Sequence, residues 1–185
     1  LGFAYTMLEQ DVRLAFEHDG QLDENTYNEN TKVERDTYLA KSKKYFEEAR
    51  DLWGALAAEG DAEGQRGLGF LYLTGKAVNK NHDQAYKYYK MAADQGHAVA
   101  LSELGSMYSG WHRYKKDEEK AVHYAELAAN KDNHQSLVNL SYYHQVGYGG
   151  LQKDLMKAIE YRLMAAKVDK RWEGGDDFYT VGLLY

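Results

Sequence analysis

The chain contains no cysteine and no proline among its 185 residues. Without cysteine it can form no disulfide bond, no thiolate metal site and no cysteine nucleophile. Without proline it lacks the residue that most often breaks helices, so glycine must make the turns of a chain that is helical nearly throughout. Together the two absences favour an all-α fold.

An excess of basic residues and long apolar runs are also missing. The 23 Lys and Arg are interspersed with 29 Asp and Glu, for a net charge of −6. No basic stripe is available to bind a phosphate backbone, so nucleic acid is not an expected partner. No apolar run approaches the roughly 20 residues that cross a bilayer. We therefore expect no direct membrane insertion.

The start of the chain is unlike a signal peptide. Residues Leu1 to Leu8 lack a basic region and a long apolar region, and the first residue is not methionine. The same residues form an apolar helical phrase. We therefore expect that further residues precede Leu1 in the natural protein and that an export signal could lie among them.

A repeat of 36 residues runs through the middle of the chain. Residues 62–97 and 98–133 align without a gap, so that Leu68 meets Leu104, and a third unit over 134–170 is one residue longer. A fixed period of this length predicts stacked supersecondary units rather than one globular core.

Fragments of the same pattern flank the full repeats. Residues 1–61 read as an incomplete repeat with a long insertion at about 9–44, and residues 171–185 read as the first helix of a further, truncated repeat. The insertion is too long for a hairpin turn. Either it adds a helix that docks in the binding groove or covers it, or it is an excursion without a function.

Each repeat reads as a helical hairpin. Leu68, Leu71 and Tyr72 share one helix, and Ala85 and Tyr89 follow helical spacing on a second. The loop between them opens near Gly75, where glycine permits backbone angles that other residues avoid, and Val78 can close the hairpin end. A single hairpin cannot bury its apolar face, so neighbouring hairpins must stack.

The order of these residues resembles the Sel-one-like repeat family, a relative of the tetratricopeptide repeat. The pattern runs A-x-x-x-x-x-L-G-x-x-Y-x-x-G, then an apolar loop residue with Lys-Asp or Lys-Asn, then A-x-x-[YW]-[YW]-x-x-A-A-x-x-G, over residues 45–170. The third unit departs from the pattern at Ser141, at His144, where a tyrosine is usual, and at Asp132 and Asp169, where a glycine usually closes the second helix.

The resemblance implies an all-α fold, a right-handed α-α superhelical solenoid of stacked helical hairpins with a period of about 36 residues. It also implies a non-catalytic protein–protein interaction scaffold or adaptor in the bacterial periplasm or cytoplasm, whose partner is another protein or peptide. Two alternatives stay open: a bacterial immunity protein that neutralises a secreted toxin, and a regulatory repeat segment of a larger enzyme.

In a stacked solenoid the first helices line the concave face, and their positions outside the packing pattern are free to contact a partner. Counting from the packing leucines and tyrosines gives one set of candidate residues in each repeat. Val99 shares this face, and the partner-binding residues predicted are Glu63, Arg66, Phe70, Leu73, Ser102, Ser106, Ser109, Gln135, Val138, Tyr142 and Gln145. Tyr142, Tyr148, Tyr114 and Trp111 fall outside the repeat pattern and are candidates for exposed aromatic residues.

No catalytic, cofactor or metal site is predicted. His123 and Glu126 have metal-ligand spacing but no further ligand motif, and Glu118-Glu119 lies among lysines on a solvated helix face. The glycine cluster Gly147 to Gly150 lacks the strand and the Lys-Ser or Lys-Thr of a phosphate loop. Acidic residues between Asp19 and Glu29 do not follow the order of a calcium loop, and a solvated or partner-facing loop is favoured over a cation site.

Overall fold

The computed structural model describes residues 29–110, 112 and 114–168, with side chains from residue 39 onward. These residues form helices and turns and no strand, so the all-α prediction is confirmed. They divide into two compact units, one that ends at residue 85 (unit 1) and one that begins at residue 86 (unit 2). The helices are α1 (Glu29–Ala58), α2 (Ala62–Thr74), α3 (His82–Asp94), α4 (Ala98–Tyr108), α5 (Glu118–Ala129), α6 (His134–Val146) and α7 (Leu155–Val168), with a 3₁₀ turn at Tyr148–Gly150.

The first helix of each repeat, α2, α4 and α6, begins with the same capping contact. Side chains of Asp61, His97 and Asn133 accept hydrogen bonds from the backbone N–H three residues later, at 2.7, 3.3 and 3.0 Å. Each bond satisfies a backbone donor that has no partner within the helix. The three caps lie 36 residues apart, so the repeat is present in the hydrogen bonds as well as in the sequence.

The turn that precedes each first helix uses a left-handed residue. Gly60, Gly96 and Asp132 have φ of 86°, 80° and 55°. Asp132 is one of the residues that depart from the family pattern, and aspartate is among the few non-glycine residues that tolerate this region. The first helix of the third repeat is therefore preceded by the same left-handed backbone turn as the first helix of the second repeat.

Unit 1 is built around the contact between α1 and α2. Phe46, Ala49 and Trp53 of α1 are buried, and Gly67 of α2 lies directly against the Trp53 ring. Residues 29–44 of the predicted insertion form one continuous helix with the residues that follow them. The remainder of the insertion, at residues 9–28, lies outside the described residues.

Unit 2 has a core shared by α5, α6 and α7. Small residues of α5 pack in one core cluster with larger residues of α6. The cluster contains Ala125, Ala129, Leu137, Leu140 and Tyr143. A pair of stacked rings recurs beside it: Tyr108 stacks on Tyr124 at 5.7 Å, and His144 stacks on Tyr161 at 5.5 Å. His144 thus replaces the usual tyrosine by an equally flat ring.

Candidate functional site

The predicted partner-binding residues of unit 1 are engaged by side chains of α1 and α2 or are buried. Arg66 donates hydrogen bonds to Glu63, and its guanidinium carbon lies 5.4 Å from the Trp53 ring centroid. The ring of Phe70 lies 6.4 Å from that of Phe46 on α1. Leu73 is only 6% exposed, which corrects its assignment to a free surface. The aromatic residues of the long α1 cover this side of α2.

On α4 the predicted residues are largely covered as well. Ser102 is 6% exposed and so does not lie on a free face. Ser109 bonds back to the carbonyl of Ser106, and its own carbonyl accepts a hydrogen bond from the Tyr148 hydroxyl at 3.2 Å. A serine is small enough to pack between helices, so its polarity did not indicate exposure here. Val99, 41% exposed, remains open at the start of α4.

The predicted residues of α6 are brought together on an exposed face. Gln135, Tyr142 and Gln145 are exposed, with Tyr142 at 55%, while Val138 is half-buried at the edge of the core. Their spacings of three and four residues place them along one side of the helix. Together with Val99 on α4, these residues form the accessible part of the predicted surface among the described residues.

Two further residues of this face were missed by the sequence reasoning. Val146 is 38% exposed and lies one turn after Tyr142, and Asn139 accepts a hydrogen bond from the Gln135 amide at 3.0 Å. The i to i+4 spacing from Gln135 and Tyr142 was the available signal. We define the α6 patch by its five residues: Gln135, Asn139, Tyr142, Gln145 and Val146.

Two tyrosine rings that pack in or against the core lie next to the patch. Tyr143, 5% exposed, lies 6.2 Å from the Tyr142 ring and stacks on Tyr148 at 4.5 Å. Burial of the neutral phenol raises the pKa of Tyr143 to about 12, with Tyr148 adding to the effect. The C-terminal half of α6 is therefore fixed by packing that depends on an uncharged Tyr143.

This shift predicts a loss of stability in alkali. A phenol with a pKa of about 12 when folded and 10.0 when unfolded contributes its full stabilisation below pH 10 and loses it as the pH rises towards 12. We expect the free energy of unfolding to fall by about 1.4 kcal/mol per pH unit in this window from Tyr143 alone.

Urea unfolding at intervals between pH 8 and pH 12 measures this dependence. The Tyr143→Phe variant removes the ionisable group and retains the ring, so its slope should be shallower by that amount. An unchanged slope in Tyr143→Phe would show that other tyrosines account for the alkaline loss.

The residues weighed for chemistry do not gather into a reactive site. The pKa of Glu118 is lowered, chiefly by a hydrogen bond from Lys116 at 2.6 Å, which opposes use as a general acid. The glycine turn contacts the same carboxylate, because the Gly149 N–H donates a hydrogen bond to Glu118 Oε2 at 3.4 Å. Within residues 29–110, 112 and 114–168, no three His, Asp or Glu side chains are grouped as a metal site would require.

The remaining sequence candidates have varied outcomes. Tyr114 and Tyr148 are half-buried in ring clusters and so are less open than expected, whereas Tyr142 is exposed. Trp111, Asp169, the acidic residues between Asp19 and Asn28 and the truncated repeat at 171–185 lie outside the described residues. No helix of the described part has the length and hydrophobicity of a membrane span.

Comparison with known proteins identifies the repeat. A family model described as the Sel1 repeat matches residues 62–97, 98–133 and 134–168. No curated protein matches the chain. Among solved structures, a Sel1 repeat protein from Oxalobacter formigenes is 29% identical with a TM-score of 0.67, and the match covers 85% of this chain and 61% of that protein.

Two more distant structures share the fold. A protective antigen of uropathogenic Escherichia coli with an SLR fold is 23% identical (TM-score 0.61), over 94% of this chain and 33% of the antigen. Cysteine rich protein B of Helicobacter pylori is 19% identical (TM-score 0.55), over 75% of this chain and 96% of that protein. The chain thus spans about three fifths of the Oxalobacter protein and a third of the antigen.

Proposed function

The chain belongs to the Sel1 repeat family, and we propose that it is a non-catalytic scaffold that binds a partner protein through the α6 patch. Members of this family are helical-repeat scaffolds that generally act as protein-interaction modules. The observation that carries the proposal is Tyr142, 55% exposed, one turn before the exposed Val146 on a helix without Asp, Glu, Lys or Arg. Tyrosine is enriched, and charge depleted, at the centres of protein interfaces.

The rigidity of the patch supports the same function. Tyr142 projects from a helix whose next residue, Tyr143, is fixed in the core, and the Gln135 and Asn139 amides hold each other in place. A side chain that is already ordered loses less conformational entropy when a partner covers it. The patch therefore presents its contacts in a form suited to binding.

Affinity capture with matched variants tests the proposal. The wild-type chain, Tyr142→Ala and Leu127→Ala are used as baits, and the captured protein is then purified for calorimetric titration. Leu127 is 38% exposed on α5, so its variant removes a comparable apolar side chain outside the patch. We expect Tyr142→Ala to weaken binding about tenfold or more and Leu127→Ala to leave it nearly unchanged.

Equal dissociation constants for Tyr142→Ala and the wild type would reject the α6 patch. The two alternative functions are separated by different observations. A secreted toxin as the captured protein would indicate an immunity protein, and a catalytic domain in the same natural chain would indicate a regulatory segment of a larger enzyme. No contact or charge among the described residues favours either one.

A further inference from the structure

The first helices of unit 2 are almost free of charged residues. α4 carries Glu103 alone, and α6 carries no Asp, Glu, Lys or Arg, although such residues form 28% of the chain. The second helices follow the composition of the chain. On α5 these residues are Glu118, Glu119, Lys120 and Glu126, and on α7 they are Lys157, Glu160, Arg162 and Lys167.

On α6, burial does not account for this depletion. Gln135, Tyr142, Gln145 and Val146 on α6 are exposed, and exposed helix positions in a soluble domain usually carry Lys, Glu, Arg or Asp. Charge at these positions would disturb no buried group. The neutrality of the α6 patch therefore needs a reason other than packing, and contact with an uncharged surface supplies one.

The polar groups of the patch suit a neutral ligand. The Gln135 amide nitrogen donates to the Asn139 side-chain oxygen at 3.0 Å, which leaves the Gln135 oxygen as an acceptor and the Asn139 nitrogen as a donor. Such a pair can hydrogen-bond a peptide group or a neutral polar side chain. The carboxylate of α4, Glu103, lies 3.9 Å from His112 Nε2 and is not part of the patch.

We infer that the α6 patch takes an uncharged segment of its partner protein, an inference that rests on the proposed function. A large apolar side chain of the segment lies against Tyr142 and Val146, and its amide or hydroxyl groups face Gln135 and Asn139. A charged group placed there would lose water and meet no opposite charge, so charged segments bind less well. Binding is consequently insensitive to salt.

Selection from a library of random dodecapeptides displayed on phage tests the inference, with the wild-type chain, Leu127→Ala, Tyr142→Ala and Gln145→Glu as immobilised targets. Peptides enriched on the wild type and on Leu127→Ala should contain fewer Asp, Glu, Lys and Arg than the unselected library. A synthetic enriched peptide should lose about tenfold in affinity on Tyr142→Ala. Its dissociation constant should change less than about twofold between about 50 and about 500 mM NaCl.

The Gln145→Glu target places one carboxylate on the patch, and we expect it to raise the proportion of Lys and Arg among enriched peptides. Highly charged peptides that still require Tyr142 would overturn the inference that the bound segment is uncharged, but they would leave the proposed function standing. Peptides indifferent to Tyr142→Ala would reject the patch and the proposed function with it. A wild-type target that enriches nothing above an uncoated surface would overturn the inference that a linear segment binds.

Discussion

Replacing Gly67 with alanine is expected to lower the free energy of unfolding of unit 1 by about 2 to 3 kcal/mol, the upper range for overpacking a core. A Cβ atom at this position would lie 2.2 Å from the Cδ2 atom and 2.4 Å from the Cγ atom of Trp53. The indole is a rigid ring that is only 3% exposed, so it cannot bend away as a flexible chain would. Either α2 or Trp53 must move.

Helix propensity acts in the opposite direction and is the smaller effect. Alanine is favoured over glycine within a helix by about 1 kcal/mol, which the clash at Gly67 must exceed. Gly54 on α1 provides the matched control, because a Cβ there would meet nothing within 4 Å. Gly54→Ala should therefore raise stability by up to about 1 kcal/mol.

Hydrogen exchange of the α2 peptide, with urea unfolding of the whole chain beside it, measures both variants. Hydrogen exchange reports the stability of α2 itself. A single urea midpoint does not, because it averages over two compact units. If Gly67→Ala and Gly54→Ala both increased protection, the close approach of α2 to Trp53 would be wrong.

The sequence predicted the hairpins well because their signals are local. Leu68, Leu104 and Leu140, aligned by the 36-residue period, are all buried, and so are Ala85 and Ala121 of the second helices. The expected left-handed turn occurs at Gly75, with φ of 78°. Period, small residues and turn glycines can each be read within one repeat, without knowledge of neighbouring helices.

The candidate surface was predicted less well because exposure depends on what a neighbouring helix covers. Helical phase placed Leu73 and Ser102 on a free face, but both are buried. In unit 1 the aromatic residues of α1, among them Phe46 and Trp53, take up the side of α2 that was expected to be open. The packing of α1 against α2 is a tertiary contact that spacing along one helix does not contain.

The continuity of α1 also follows from a local signal. α1 runs without interruption from Glu29 to Ala58, and no glycine or proline lies between Glu29 and Trp53 to end a helix there. The absence of a breaker over that length favours one continuous helix.

The second large effect is expected at Gly149, in the turn between α6 and α7. Its φ of 62° is unfavourable for alanine, and a Cβ there would lie 2.6 Å from the Glu118 carbonyl oxygen and 2.7 Å from Val122 Cγ2. Left-handed backbone costs about 1 kcal/mol for a non-glycine residue, and overpacking adds about 1 to 3 kcal/mol. We expect Gly149→Ala to destabilise unit 2 by about 3 kcal/mol in total.

Gly150→Ala separates the two causes. Gly150 has a φ of 81° but nothing within 4 Å of its would-be Cβ, so it should lose only about 1 kcal/mol from backbone strain. Urea unfolding compares the variants, and hydrogen exchange of the α6 peptide locates the loss. Equal losses at the two glycines would mean that the turn does not press against α5.

The turn also connects stability to binding. Tyr148, the residue before Gly149, stacks on Tyr143 and donates a hydrogen bond to the Ser109 carbonyl, so a turn displaced from α5 carries this ring away from the α6 patch. If the patch binds as proposed, Gly149→Ala should weaken partner binding although it alters no patch residue, and Gly150→Ala should weaken it far less. Undiminished binding by Gly149→Ala, together with the expected loss of stability, would show that the Tyr143 and Tyr148 stack does not position Tyr142.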